Sequence, residues 1–331
     1  MKTIDAHAHF IPADLVADLR RGDGPDGMIL EENSGVPWVV HRQGYRYPLQ
    51  PHFYDLEARL AYMDRNGVTD AVLSVPPTFL LYWADAGEAA DAARRINESL
   101  SKLVADSGGR LRAIATLPMQ DPDAATAELE RAVVELGLCG AQVGPHIEGT
   151  TLDADGPRDV LARAADLGVT LVVHPYYVGS NAVLGDYYMT NLLGNPWQTT
   201  VCATRLIFSG TLERIERLRM LLVHGGGYLP HAAGRLDRGH AVRPEVEHLP
   251  HRPSTYLRRF HYDTLVHDPA LLSDLVRRVG DDRVVLGTDT PFDMGDGPLA
   301  AQLGETDLSD ESLRRISYGN AELLFRRQDG S

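Results

Sequence analysis

Eight short apolar runs, each separated from the next by a segment of helical or turn character, constrain the fold of this 331-residue chain more than any other feature. They begin at residues 3, 71, 111, 140, 170, 220, 259 and 283. Ala71-Val72-Leu73-Ser74-Val75 and Thr170-Leu171-Val172-Val173 are almost unbroken in apolar residues, the pattern of strands buried on both faces. Leu111 to Leu117 and Arg283 to Asp289 read as single strands. Helices are expected at Asp55 to Asn66, Ala86 to Ser107, Pro122 to Leu136, Pro157 to Leu167, Gly227 to Arg238 and Leu271 to Val279, and over most of 179–218. Gly67, Gly137 and Gly168 stand where three of them stop. Eight strands in βα alternation is the number that closes a (β/α)8 TIM barrel. The competing arrangement, an open doubly wound sheet, would carry a Gly-rich nucleotide loop after its first strand, where this chain has His7 and His9.

The alternation is interrupted once. From about Pro12 to Pro51 the chain is rich in Gly, Pro and Asp and reads as irregular. Within it, Val36 to His41 and Tyr45 to Tyr47, separated by Arg42-Gln43-Gly44, form a candidate β-hairpin. An insertion of this length is expected to act as a lid or binding loop on a single barrel domain spanning 1–331. With 44% hydrophobic and 24% charged residues, the chain has the composition of one large globular domain. No apolar run approaches a membrane span, and Met1-Lys2 leads directly into a strand, so a cytoplasmic location without membrane partners is expected. Cys139 and Cys202 are far apart with no CxxC spacing and read as buried free thiols of a reducing compartment. A net charge of −14 argues against a nucleic-acid partner, which needs clustered positive charge, but leaves room for a small anionic substrate drawn in by a metal ion and one or two arginines.

Barrel enzymes place their chemistry where strands end. In Ile4-Asp5-Ala6-His7-Ala8-His9, alternate residues of a strand share a face, so His7 and His9 can clamp one metal ion between two imidazoles. The fifth strand ends in His174, the sixth in His224 and the eighth in Asp289. Independent core histidines would not gather at one rim, so these five groups are read together as a metal site. His41, His52, His146, His231, His240, His248, His251, His261 and His267 fall mostly in loops or helices and are taken as bystanders, unless the hairpin brings His41 or His52 to the pocket.

The segments Asp5-Ala6-His7-Ala8-His9, Val173-His174-Pro175, Val223-His224-Gly225-Gly226-Gly227 and Leu286-Gly287-Thr288-Asp289-Thr290-Pro291-Phe292 resemble the signature of the amidohydrolase superfamily in its decarboxylase branch. Tyr82-Trp83-Ala84, Gly234-Arg235 and Tyr262-Asp263-Thr264 add a likeness to the α-amino-β-carboxymuconate-ε-semialdehyde decarboxylases within it. The resemblance implies that His7, His9, His174 and Asp289 hold one divalent ion, Zn²⁺ in the first instance and Mn²⁺ as the alternative. It gives His224 the acid/base role beside the bound water, and Asp289 or His224 the delivery of a proton. No lysine follows the fourth strand at Gly140 to Gly144, so a carboxylated-lysine bridge to a second metal is not expected.

The same resemblance assigns Arg46, on the hairpin, to the substrate carboxylate and Arg235 to the pocket of a neighbouring subunit in a homodimer; a guanidinium suits either task because its parallel N–H donors match two carboxylate oxygens. Trp83 joins the expected substrate-binding residues. Where the family has a pair of tryptophans, this chain has Tyr188 and Asn191, with Trp197 the next aromatic, so the pocket wall is altered and the substrate with it. The reading is therefore a metal-dependent, non-oxidative decarboxylase of an unsaturated or aromatic carboxylic acid bearing amino or hydroxy groups. A metal-dependent hydrolase or hydratase acting on a small cyclic or unsaturated acid is the alternative, and a catalytically idle binding protein the third possibility. The five metal-competent residues are all retained, which opposes the last.

Overall fold

The computed structural model describes residues 2–25, 27–41, 44–176, 182–295 and 303–326. β1 (Ile4–His9) is followed by α1 (Ala13–Arg21) and by a three-stranded antiparallel sheet of β2 (Met28–Asn33), β3 (Val36–His41) and β4 (Arg46–Pro48). The expected hairpin is β3 with β4, in the register Val40 opposite Arg46; Arg42 and Gln43 of its turn lie outside the described residues. The stretch read as irregular also contains α1 and β2. α1 buries Leu15, Val16 and Leu19, an apolar stripe too short to stand out among its Asp and Arg neighbours, and ends where Gly22 adopts φ 79°.

The barrel itself runs through β5 (Asp70–Ser74), β6 (Leu111–Ala113), β7 (Ala115–Thr116), β8 (Gly140–Val143), β11 (Thr170–Val173), β12 (Arg219–Leu222), β13 (His261–Asp263) and β14 (Val284–Val285); β9 (His146–Ile147) and β10 (Thr150–Thr151) are a small excursion between β8 and β11. The interleaved helices are α2 (Leu56–Asn66), α3 (Ala86–Asp106), α4 (Pro122–Val134), α5 (Pro157–Leu167), α6 (Asn195–Phe208), α7 (Thr211–Arg214), α8 (Leu229–Val242) and α9 (Pro269–Val279). Asp55, Asp85, Asp121 and Asp268 cap α2, α3, α4 and α9 by accepting from backbone N–H groups of the first turn. Of 179–218, residues 179–181 lie outside the described residues, and the rest is α6 and α7 preceded by a π-helical turn at Thr190–Gly194.

Parallel pairing orders the strands β1-β5-β6 and β7-β8-β11-β12-β13-β14. The expected third strand is thus broken at Ile114, and its two halves pair with different neighbours. Asn97 of α3 bridges the break from outside, accepting from Thr116 N at 2.9 Å and donating to Thr116 O at 3.0 Å. The last strand of the ring is regular only over Val284–Val285, yet single bonds continue it against β1: Ala6 N donates to Leu286 O (2.8 Å), Asp289 N to His7 O (2.8 Å) and His9 N to Thr290 O (2.7 Å). These bonds close the (β/α)8 barrel. They also bring Asp289 level with His7 and His9.

A register shift between Asp5 and Ala8 inserts one extra residue in β1 relative to β5. Strand periodicity alone would put Ile4 and Ala6 on one face and His7 on the other. The bulge resets the phase, so Ile4 and Ala6 pack in the barrel interior with Val72, Val172 and Leu221, while His7 and His9 also turn inward above them. Ala321 and Leu324 of a short helix at Asn320–Leu324, with Phe325 just after it, close this interior cluster.

Arg59 of α2, 1% exposed, secures the site end of β1 by donating to the carbonyl of His9 and, at 3.2 Å, to Thr290 Oγ1. Replacing it with methionine keeps the volume and leaves buried acceptors unpaired. Arg59→Met is expected to lower the unfolding free energy by about 3 kcal/mol in urea titrations; a change below about 0.5 kcal/mol would show that the clamp carries no stability.

Candidate metal centre

His7, His9, His174 and Asp289 each present a ligand atom within 4.8 Å of the others, and all four side chains are buried. Two come from the end of β1, one from the residue after β11 and one from the loop after β14. Asp289 Oδ1 is the point of convergence: His9 Nε2 lies at 2.9 Å, His7 Nε2 at 3.4 Å and His174 Nε2 at 3.9 Å. Asp289 Oδ2 faces the other way, 3.6 Å from Nε2 of His224. His224 thus stands beside the four-residue group rather than within it.

Each ligand imidazole is oriented through its other nitrogen. His7 Nδ1 donates to Asp263 Oδ2 at 2.8 Å, His9 Nδ1 to the Val75 carbonyl at 3.2 Å, and His174 Nδ1 to the Pro175 carbonyl at 2.7 Å. With the proton on Nδ1, a neutral ring turns its Nε2 lone pair toward the centre. Nε2 of His7 and of His174 are buried with no hydrogen-bond partner, and the lone pair of His9 Nε2 faces a carboxylate oxygen. Three lone pairs and an anion aimed at one point fit a divalent cation, and three nitrogen donors with one oxygen donor suit a catalytic site that keeps a position open. Burial pushes His7 and His9 below the ordinary histidine range and His174 down to about 4. Burial alone would raise Asp289, but the histidines gathered around it, His7 foremost and then His174, His224 and His9, hold it well below the usual carboxylate range. The donors are therefore in the deprotonated state that metal binding requires.

Asp263, at the end of β13 and fully buried, links this set to His224. Besides His7 it accepts from His224 N at 3.0 Å, Gly225 N at 2.7 Å and Leu265 N at 3.2 Å. Burial opposes its charge, yet the bond from His7 and these neighbours hold its pKa below the usual value. Gly287 leaves the space: a Cβ there would meet Asp263 Cβ at 2.8 Å and His7 Cβ at 2.9 Å. The strand-end rule that points to His174 and His224 points equally to Asp263, which the sequence reading leaves without a role. His224 and Asp289 both sit at positive φ, 56° and 57°, a conformation costly for residues with a Cβ and characteristic of functional loops.

A cavity of about 710 Å³ opens above the centre, and its lining includes Arg46, Tyr188, Asn191, His174, His224 and Asp289. Arg46 is half exposed, paired with Glu31 at 3.2 Å and set over the Trp38 ring. Tyr188 has its hydroxyl pushed up to about 12 by burial and by the charges of Asp293 and Asp289. One residue expected at the substrate lies elsewhere. Trp83 packs edge-on against His41, ring centres 4.3 Å apart, outside the lining. Arg235 projects from the exposed face of α8 and lines neither cavity at the centre. His52 stacks on Tyr62 and His41 is covered by Trp83, so the insertion brings neither histidine into the lining.

A family model described as amidohydrolase matches residues 4–327, and the chain belongs to that superfamily, in its decarboxylase branch. It is 30% identical over 325 residues to 2-amino-3-carboxymuconate-6-semialdehyde decarboxylase of Dictyostelium discoideum, covering 96% of this chain and 90% of the relative. To γ-resorcylate decarboxylase of a Rhizobium species it is 31% identical over 325 residues, covering 90% and 97%. The solved structure of a dihydroxybenzoic acid decarboxylase from a Polaromonas species, with bound manganese and the inhibitor 2-nitroresorcinol, superposes with a TM-score of 0.80 at 26% identity, covering 98% of this chain and 96% of that one.

Because Asp263 fixes the tautomer and aim of His7, Asp263→Asn is expected to weaken metal affinity by about 10- to 100-fold in competitive chelator titrations. Unchanged affinity would mean that His7 is held by its strand alone.

Proposed function

We propose that this protein catalyses the metal-dependent, non-oxidative decarboxylation of an unsaturated or aromatic carboxylic acid carrying amino or hydroxy groups. The observation that carries the reading is the convergence of three neutral imidazoles and an ionised Asp289 beneath a cavity whose wall holds both His224 and Arg46. The named decarboxylases among its relatives support it. When bound, the divalent ion supplies a Lewis acid that polarises substrate oxygen and makes water a stronger acid. The donor set suits Zn²⁺, and the manganese of the Polaromonas enzyme favours Mn²⁺ as the physiological ion.

Arg46, released from Glu31, meets the substrate carboxylate with parallel N–H donors. Tyr188 and Asn191 form the wall that selects the ring. As the carbon–carbon bond to the carboxylate breaks, its electron pair stays with the unsaturated system, carbon dioxide leaves, and a proton held between His224 Nε2 and Asp289 Oδ2 replaces it on carbon. The β2–β4 sheet serves as a lid, since it carries Arg46 into the cavity wall. Arg235 acts in the pocket of a second subunit of a homodimer, a reading supported by its exposure and by its place outside its own chain's cavities. The cytoplasm suits the free, buried Cys139 and Cys202; among the described residues no helix is long and apolar enough to cross a membrane.

The test is to incubate metal-loaded protein with amino- and hydroxy-substituted aromatic and muconate-type acids and to measure carbon dioxide. Release from at least one of them is expected, and His224→Ala should keep its metal while turnover falls by on the order of 10²-fold or more. Water addition or hydrolysis without carbon dioxide would replace this reading with that of a hydrolase or hydratase.

A further inference from the structure

A second cavity of about 290 Å³ opens from the same centre. It shares His224, Asp289, Asn191, Asn195 and Met294 with the larger one, so the two meet at the acid/base pair. Beyond that junction the linings diverge. The larger cavity continues past Arg46, Thr78, Tyr188 and Asp293. The smaller is walled by Pro196, Leu265, Val266, Leu271 and Leu275, and neither arginine nor lysine lines it.

Glycines let the segments of its wall pack closely on one another. Gly225, at φ +60°, lies where a Cβ would come within 2.3 Å of Val266 Cγ1, and a Cβ on Gly227 would fall 2.1 Å from the Pro196 carbonyl oxygen. At the outer end Leu192, Tyr228 and Leu271 are left 46%, 39% and 44% exposed, an apolar rim facing solvent. His231 and His267 also belong to this wall, but a carboxylate meets no arginine or lysine among its residues, whereas a hydrocarbon group entering it leaves water and covers exposed leucine. The volume corresponds to roughly ten water-sized groups, enough for a chain of about five carbons or a second ring.

We infer that this cavity is a subsite for an apolar substituent, an alkyl chain or a second ring, on the side of the substrate away from the carboxylate. The inference rests on the proposed decarboxylation, which places the carboxylate toward Arg46. It narrows the substrate class from aromatic or unsaturated acids in general to those extended by an apolar arm.

Calorimetric titration of the metal-loaded protein with 2-nitroresorcinol and with 2-nitro-5-pentylresorcinol separates the possibilities. The pentyl compound should bind at least about tenfold more tightly, since each buried methylene is worth about fourfold in affinity. Leu271→Trp and, independently, Leu192→Trp narrow the outer end and should each cut that ratio to about threefold or less. Equal binding of the two compounds, or a ratio retained in both variants, overturns the subsite and leaves the decarboxylase reading standing. If neither nitroarene binds, the proposed function fails, and 4-pentylphenol then reads the subsite alone: saturable binding lost in Leu271→Trp supports it, and no binding overturns it.

Discussion

Asp289 is a carboxylate shut away from water among four histidines, and the rest of the molecule is arranged around keeping it charged there. A buried anion is costly unless it is paired, and its partners here are imidazoles that burial itself keeps neutral in the absence of an ion. A divalent cation reconciles the two demands, since it meets the carboxylate and the three inward lone pairs at once. The outer nitrogens of the ligand histidines are already engaged by Asp263, Val75 and Pro175, so the donors stand in position before any ion arrives. Asp263 carries the arrangement further, because the carboxylate that orients His7 also grips the backbone of His224 and Gly225. The metal-competent group and His224 are therefore mechanically one unit.

Much of this is legible in the sequence because it depends on short-range periodicity. The βα alternation predicts the barrel, and the rule that chemistry lies at strand ends selects His174, His224 and Asp289 from thirteen histidines and many acids. What escapes has a physical reason in each case. The bulge in β1 is a register event between two strands 66 residues apart and leaves no mark on either. The break at Ile114 leaves the apolar run Ala113-Ile114-Ala115 unbroken in the sequence, and the bonds that Asn97 makes to Thr116 come from a helix 19 residues away in the chain. β2 alternates poorly because its outer half faces solvent. Asp263 looks like one acid among 46 Asp and Glu residues until the fold sets it beside His7. Trp83 misses the cavity because its ring packs against His41 of the inserted sheet.

The pocket is divided in its chemistry at the same point where the centre is divided in its roles. On the side of Arg46 the wall mixes charged and hydroxyl groups with the rings of Trp38, Tyr47 and Phe292 and is bounded by the inserted sheet; on the side of Gly225 and Val266 it is mainly hydrocarbon, with His231 and His267. Asn191 and Asn195 line both, one within the π-helical turn Thr190–Gly194 and the other just after it. That turn replaces helical regularity with a widened backbone loop next to the reacting groups, a feature common at functional sites.

X-ray absorption spectroscopy at the edge of the bound metal tests the central claim most directly, because it counts imidazole scatterers in the coordination sphere. The account predicts three imidazole nitrogens and one carboxylate oxygen from the protein, at about 2.0–2.2 Å, with the count unchanged in His224→Asn and reduced by one imidazole in His174→Ala. Four imidazoles in the native protein, or the loss of one on replacing His224, would put His224 on the metal and contradict the division between ligands and acid/base residue on which the reading rests.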